Sequence, residues 1–465
     1  MVFGNILERF VERSPASVMI RGTLENVVTS DLLDRIFEET AQRQYCRELL
    51  FSSVVNLLGL VATRVRRSVN DAYLAEKEQF TVSVIAVYDK LHGVETGVTR
   101  QMIVQTAQRL AEIVGHLAPR QQPLLRGYRT KIIDGNHLPA TEHRIAELRK
   151  TRCGPLPGQS LVILEPDLML ATDVIPCEDG HAQERSLLPA VLETVKAKDL
   201  WIADRNFCTT NFLFGIAQRR GSFVIRQHGS TLTYELLGQR RKIGRSPTGM
   251  IYEQQMRLSH PDGRSLVIRR ITVELKEATR DGETAVHILA NLPEKDADAR
   301  VVADLYLRRW TVENAFQELE QALHSEIQTL GYPKAALLSF CVALLAYNVM
   351  SVVKSALAAV HGEALERHRI SGYYLAGEIA AAYYGMMIAV PAARWQRLFG
   401  GLNAAALASV LKSLAAKARP DRFRKNVRGL RKPRPPRTSG ARKHHVSTAR
   451  ILTQRKSTKP HVTTA

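Results

Sequence analysis

The chain has 465 residues, 45% of them hydrophobic, and a formal net charge of +20. That length exceeds one ordinary domain and that apolar content excludes general disorder, while the charge selects a polyanionic partner, nucleic acid ahead of an anionic membrane. The charge is uneven: 17 of the 65 Lys and Arg, and only Asp421 of the 45 acids, lie between Lys412 and Lys459. The remaining body is close to neutral, so a binding site within it has to be specific rather than broadly electrostatic.

The cysteines (Cys46, Cys153, Cys177, Cys208, Cys341) are scattered without a C-x-x-C pair. This argues against a disulfide framework or a structural zinc site and for a reducing, cytoplasmic setting. Met1–Phe10 carries Glu8 and no long apolar stretch, so no secretory signal is expected. Ala335–Val353 is free of charge and nearly long enough to cross a bilayer. Its polar residues Ser339, Tyr347, Asn348 and Ser351 favour a buried helix and no membrane contact.

In chain order, residues 1–125 read as helical, with apolar residues three and four apart in Leu32–Ala41, Leu49–Val65, Val82–Leu91 and Met102–Leu117. Thr29, Ser30 and Thr99 are candidate N-caps. Val82–Val94 followed by Thr99–Val114 fits either a helix-turn-helix or two packed helices of a bundle. The region is a candidate for binding DNA ends. Across 126–226 the pattern changes to short β-rich runs in Lys131–Asn136 and Ser160–Val174. A helix over Glu184–Ala197, a strand at Leu200–Asp204, a helix over Asn211–Arg220 and a strand at Ser222–Arg226 complete a mixed α/β sheet. Residues 227–297 alternate and are rich in turns, with strands expected at Val267–Leu275 and Thr284–Leu289, and read as a β-rich insertion. From 298 to 416 the chain returns to helix, beginning with one amphipathic helix over Asp298–His324. Residues 417–465, with the run Lys432-Pro433-Arg434-Pro435-Pro436-Arg437, read as a disordered basic tail.

Three acids stand out by position. Asp134 follows Ile132-Ile133 and Asp204 follows Leu200-Trp201-Ile202-Ala203, so each closes a buried strand with its backbone fixed. Two acids so placed can converge on one metal, although a strand-terminal Asp also serves as a plain turn former. In the following helix Leu305, Val312, Phe316, Leu319 and Leu323 form an apolar stripe, and Tyr306, Arg309 and Glu313 a second one about 80° round from it. That second stripe can line a cleft, or it can be an i,i+4 salt bridge on a solvated face. His137 and Cys208 read as structural, Trp310 as core packing, and Asp173 and Glu165 as rival acids on neighbouring strands.

Taken together, Asp134-Gly135-Asn136, Ala203-Asp204-Arg205-Asn206-Phe207 and Tyr306-x2-Arg309-x3-Glu313 resemble the bacterial insertion-sequence DDE transposases that carry a Tyr–Arg–Glu–Lys signature. The resemblance covers about residues 125–350 and is most specific at 306–316; Ala346-Tyr347-Asn348 belongs to it as well. It implies a ribonuclease H-like mixed sheet interrupted by the β-rich insertion, with an N-terminal helical domain and a helical C-terminal region. It further implies Asp134, Asp204 and Glu313 as a catalytic triad on two Mg²⁺ ions, with Mn²⁺ able to substitute, and Tyr306 and Arg309 on the DNA backbone. The expected reaction is metal-dependent cleavage at the ends of an insertion sequence and strand transfer into target DNA. The expected partners are double-stranded DNA, both element ends and target, and a second copy of the chain in the DNA complex, in the nucleoid-bearing cytoplasm. Two positions depart from the pattern: Glu320 stands where the signature has Lys, and Asn206 where Gly is frequent. The first gives room to an alternative, a catalytically silent DNA-binding descendant; a nuclease without strand transfer is a third reading.

Overall fold

The computed structural model describes residues 4–44, 48–117, 123–138, 145–149, 154–229, 232–279, 282–362, 369–426 and 445–458. The first part is helical, as its apolar periodicity predicts: α1 (Asn5–Arg13), α2 (Pro15–Val27), α3 (Ser30–Thr40), α4 (Phe51–Ala62), α5 (Val69–Ala75), α6 (Val84–Gly93) and α7 (Thr96–Leu117). Local chemistry sets several boundaries. Thr29 caps α3 by accepting from Leu32 N–H, Ser83 caps α6 in the same way, and Pro15 opens α2 where its missing N–H costs nothing. Thr99 does not cap α7; it lies inside the helix, where its hydroxyl donates to Glu95 O at 3.4 Å.

A single nine-stranded sheet follows. Its strands are β1 (Arg129–His137), β3 (Gln159–Glu165), β4 (Leu170–Cys177), β5 (Asp199–Ala203), β6 (Ser222–Arg226), β7 (Thr233–Arg245), β8 (Gly249–Ser259), β9 (Ser265–Leu275) and β10 (Ala285–Ala290), with a short β2 (Gly154–Leu156) outside it. The order is β4-β3-β1-β5-β6-β10-β9-β8-β7. β1 pairs antiparallel with β3 and parallel with β5, and β5 pairs parallel with β6. The β-rich insertion is not a separate sheet: β10 joins β6 antiparallel and carries β9, β8 and β7 outward. The expected helix at 184–197 is shorter, a 3₁₀ turn (Glu184–Leu187) and α8 (Leu188–Leu192), while α9 spans Thr210–Gln218.

Alternation along the strands separates two cores. Ile132, Ile202, Val224, Ile271 and Ile288 face the helices that run from α1 through the chain's later half. Ile133, Trp201, Ala203, Phe223, Ile225 and Leu289 face α8 and α9. The first face receives α10 (Ala299–Leu307), α11 (Trp310–Ala322), α12 (Pro333–His361), α13 (Gly372–Ala389), α14 (Ala392–Trp395) and α15 (Ala404–Ala415). α12 contains the charge-free run and is long and apolar enough to span a bilayer, yet it is the central helix of this core, buried from Ala335 to Leu345. Its Asn348 side chain accepts from Ala171 N–H and donates to Ala171 O, both at 2.8 Å, on edge strand β4.

Two expectations need correction. Asp298–His324 is not one helix, because α10 ends at Leu307 and α11 begins at Trp310. The joint is tightened by i,i+3 bonds from Arg308, Arg309 and Thr311 N–H to Leu305, Tyr306 and Arg308 O. Nor is all of 417–465 free of structure. The proline-rich basic run lies outside the described residues, but β11 (His445–Ser447) pairs parallel with β2, and α16 (Thr448–Thr458) follows it. Arg450 bridges Asp179 at 2.6 Å and Arg455 bridges Glu147, so acids of the sheet region anchor part of the basic segment.

Candidate active site

Asp134 and Asp204 extend the inner series of their strands by one period: 132 to 134 on β1 and 202 to 204 just past β5. Ile132 and Ile202 are register partners, so the two carboxylates stand side by side on the face that α11 covers. Asp204 caps the turn after β5, its Oδ1 accepting from Asn206 N–H at 2.7 Å. Asp134 Oδ1 accepts from Gly135 N–H at 3.0 Å. Arg309, in the joint between α10 and α11, directs Nη1 to Glu313 Oε1 at 2.6 Å and to Asp134 Oδ2 at 3.5 Å. The expected i,i+4 pair therefore exists, but on a half-buried side chain that also reaches the sheet. Tyr306 lies beside the same arginine, and Arg226 closes the row on β6, next to Asp204.

Electrostatics follow from this crowding. Burial pushes the Asp134 carboxyl up to about 7, and Asp204 and Glu313 push the same way, while Arg309 and the Gly135 N–H pull against them. Burial likewise holds the Tyr306 phenol above its ordinary value, opposed by Arg309 and Arg226. Two carboxylates, Asp134 and Glu313, thus share one arginine, with Asp204 pressing on Asp134 beside them; the Arg309 Nε is buried without an acceptor among the described residues. An all-oxygen donor set with excess negative charge fits a hard divalent cation. As the side chains lie, no three His, Cys, Asp or Glu among the described residues close on a point that could hold a metal. Arg309 bridges the Asp134–Glu313 gap.

Several neighbours escaped the sequence reading. Glu184 lies over Gly135, where an added Cβ would collide with its carboxylate, and its other oxygen accepts from the Asn206 amide. A glycine at 206 could not make that bond, so the departure at Asn206 has a local partner. Arg205 and Arg226 both bind Glu283, the former at 3.1 Å. The regular spacing of Ile202, Asp204 and of Val224, Arg226 is the one signal that could have drawn attention to Arg226. Of the residues given other roles, Asp173 is bound by Arg100 of α7 through two bonds of 2.9 Å, away from the cluster. Cys208 is buried, and burial raises its thiol to about 11. Trp310 is not core packing: it is 54% exposed, with Arg309 lying 4.9 Å from its ring. Helix geometry is the reason, since at 100° per residue Trp310 falls about 140° round from the Leu305, Val312 and Leu319 stripe and points outward while those residues remain inside. Glu320 is exposed at the far end of α11, where its backbone carbonyl accepts from Arg64 at 3.2 Å.

Residues 125–349 match the model of the transposase DDE domain family. The match supports a DDE transposase, and it contains Asp134, Asp204, Tyr306, Arg309 and Glu313. No curated protein matches the chain. Among solved structures, a piggyBac transposase in a synaptic complex with hairpin DNA is similar at 10% identity and a TM-score of 0.36. That similarity covers 89% of this chain and 85% of the other. At that score the two structures do not superpose well enough to equate residues.

Proposed function

We propose that the chain is a DNA transposase that cuts the ends of its own mobile element and joins them to target DNA, with Asp134, Asp204 and Glu313 as the metal-binding triad. The observation that carries the reading is the grouping of three carboxylates inside the segment matched to the DDE domain, Asp134 beside Asp204 and joined to Glu313 through Arg309. The antiparallel β4-β3-β1 and parallel β1-β5-β6 halves of the sheet support a ribonuclease H-like core. Two Mg²⁺ ions, when bound, would activate the attacking oxygen and stabilise the leaving one, which a phosphodiester needs because its own charge repels nucleophiles.

The protein's own part is positioning. Strands β1 and β5 fix two carboxylates rigidly, and α11 supplies the third from across the cleft. Arg309 holds Asp134 and Glu313 in place and remains available, with Tyr306, to a phosphate of the DNA backbone. The helical residues 1–125 would recognise the element ends, and two copies would hold two ends together.

A donor-plasmid excision assay with the DNA that flanks this gene tests the proposal. Wild type should excise, whereas Asp134→Ala, Asp204→Ala and Glu313→Ala should each lose at least about a thousandfold while still binding DNA. Tight binding without excision by the wild type would instead favour the second reading, a catalytically silent DNA-binding protein. Glu320 at the signature Lys favours that reading.

A further inference from the structure

The opposite face of the sheet carries a second charged cluster. Arg226 and its register partner Ile288 point toward the carboxylates, so Gln227, His287, Thr272 and Arg270 point the other way. Gln227 N–H donates to His287 O at 2.8 Å, and Arg270 Nε donates to the Gln227 side chain at 2.8 Å. Thr272 Oγ1 and His287 Nδ1 are 3.0 Å apart. From β7, Arg240 lies over the Tyr252 ring at 3.6 Å and binds Glu274.

Charge accounting singles out Arg270. Most other described arginines of the insertion have acids: Arg240 has Glu274, Arg241 and Arg269 have Glu253, Arg257 has Glu235 and Arg264 has Asp262, while Arg245 is exposed to solvent and, unlike Arg270, not half-buried. Arg270 is half-buried, and its two terminal nitrogens have no acceptor among the described residues. The titratable groups around it are Tyr234, Arg240 with its partner Glu274, and His287 with Arg226 and its partner Glu283 beyond it, and none of the acids reaches the Arg270 head. A plain snorkelling arginine would leave its head free in water. Here the Gln227 amide fixes the head through Nε and leaves the two terminal nitrogens presented as a fork, the geometry that matches a phosphate.

We propose that Arg270, with Arg240 and His287 beside it, forms a phosphate-binding site for duplex DNA on the sheet face opposite the carboxylates. The proposal rests on the reading that the chain acts on DNA. Strand β6 connects the two places, because Arg226 stands beside Asp204 and the next residue, Gln227, orients Arg270. The site reads backbone, not sequence, since it offers a guanidinium fork and no groove-reaching element.

The test is the salt dependence of binding by the full chain, followed by fluorescence anisotropy on two labelled duplexes, one with the native element end and one scrambled. Arg270→Gln should weaken both by about three- to tenfold and reduce the slope of log affinity against log salt by about 0.9. Gln227→Glu leaves Arg270 in place but sets a carboxylate against it, and should act in the same direction; Arg270→Lys should recover part of the loss. Wild-type slopes in Arg270→Gln and Gln227→Glu would overturn the site, as would a loss confined to the native end. Inorganic phosphate supplies a readout independent of DNA: it should raise the pKa of His287, followed by its imidazole proton resonance, in wild type and not in Arg270→Gln. A phosphate response without DNA binding by the wild type would refute the transposase reading and the DNA ligand while leaving the anion site. No response to phosphate would overturn the site itself.

Discussion

The two ends of α11 handle buried charge differently. In its second half Glu318 meets Lys354 of α12, one anion against one cation, with side chains only 14% and 4% exposed. At its first turn Glu313 shares Arg309 with Asp134, and Asp204 presses on the same carboxyl. A matched pair serves the fold, since neither member can leave without stranding the other. An unmatched cluster costs stability, and such costs are retained where a ligand supplies the missing charge. Arg270 is the same case with opposite sign, and an anion would complete it.

Breaking the matched pair should give the largest change in stability. Lys354→Ala strands Glu318 and should cost about 3–5 kcal/mol, read from the urea midpoint. Replacing both partners by apolar residues should cost far less, and an equal loss would refute the paired account. The unmatched end should respond the other way. The folded-state pKa of Asp134 is raised, so its favourable contribution is complete below about 4 and lost as pH rises to about 7. Asp134→Asn should therefore stabilise the metal-free protein by about 1–3 kcal/mol at pH 8 and by little at pH 4. Millimolar Mg²⁺ should raise the melting temperature of wild type more than that of the variant.

A smaller effect is expected at the cationic cluster. Burial and then Arg270, Arg240 and Arg226 lower His287 to about 4, so the stability it provides is present above 6.5 and lost as pH falls toward 4. His287→Gln should flatten that loss in unfolding curves at pH 7 and pH 5; an unchanged slope would rule out His287 as its source. The smallest change belongs to Trp310→Ala, within about 1 kcal/mol because the side chain is exposed. Trp395→Ala, at a fully buried position, should cost about 3–5 kcal/mol. Equal losses at the two tryptophans would mean that Trp310 is packed after all.

Much of this was legible in the sequence for physical reasons. Asp134 and Asp204 follow uninterrupted apolar runs, and a buried strand leaves little choice of where its last side chain points. Tyr306, Arg309 and Glu313 were found by spacing, yet spacing assumes a continuous helix and could not show the turn at Arg308–Arg309 that separates α10 from α11. β7 and β8 were missed because charged residues such as Arg240, Arg241, Glu253 and Arg257 interrupt their alternation; cross-strand ion pairs, invisible in a linear chain, offset that. The return of β11 to β2 was missed for a related reason, since Asp179 and Glu147 that anchor it lie far away in sequence.

The side chain of Asn348 has a consequence for alignment. A long apolar helix lying on an apolar sheet has many settings of nearly equal energy, because greasy surfaces slide and rotate past one another at little cost. The amide of Asn348 imitates a peptide unit, giving and taking one hydrogen bond each with Ala171 where β4 departs from regular pairing with β3. It works as a detent: a slip of one residue along α12 forfeits both bonds inside a dry interior. Because β4 pairs with β3 and β3 with β1, the same detent ties the setting of α12 to the sheet that carries Asp134.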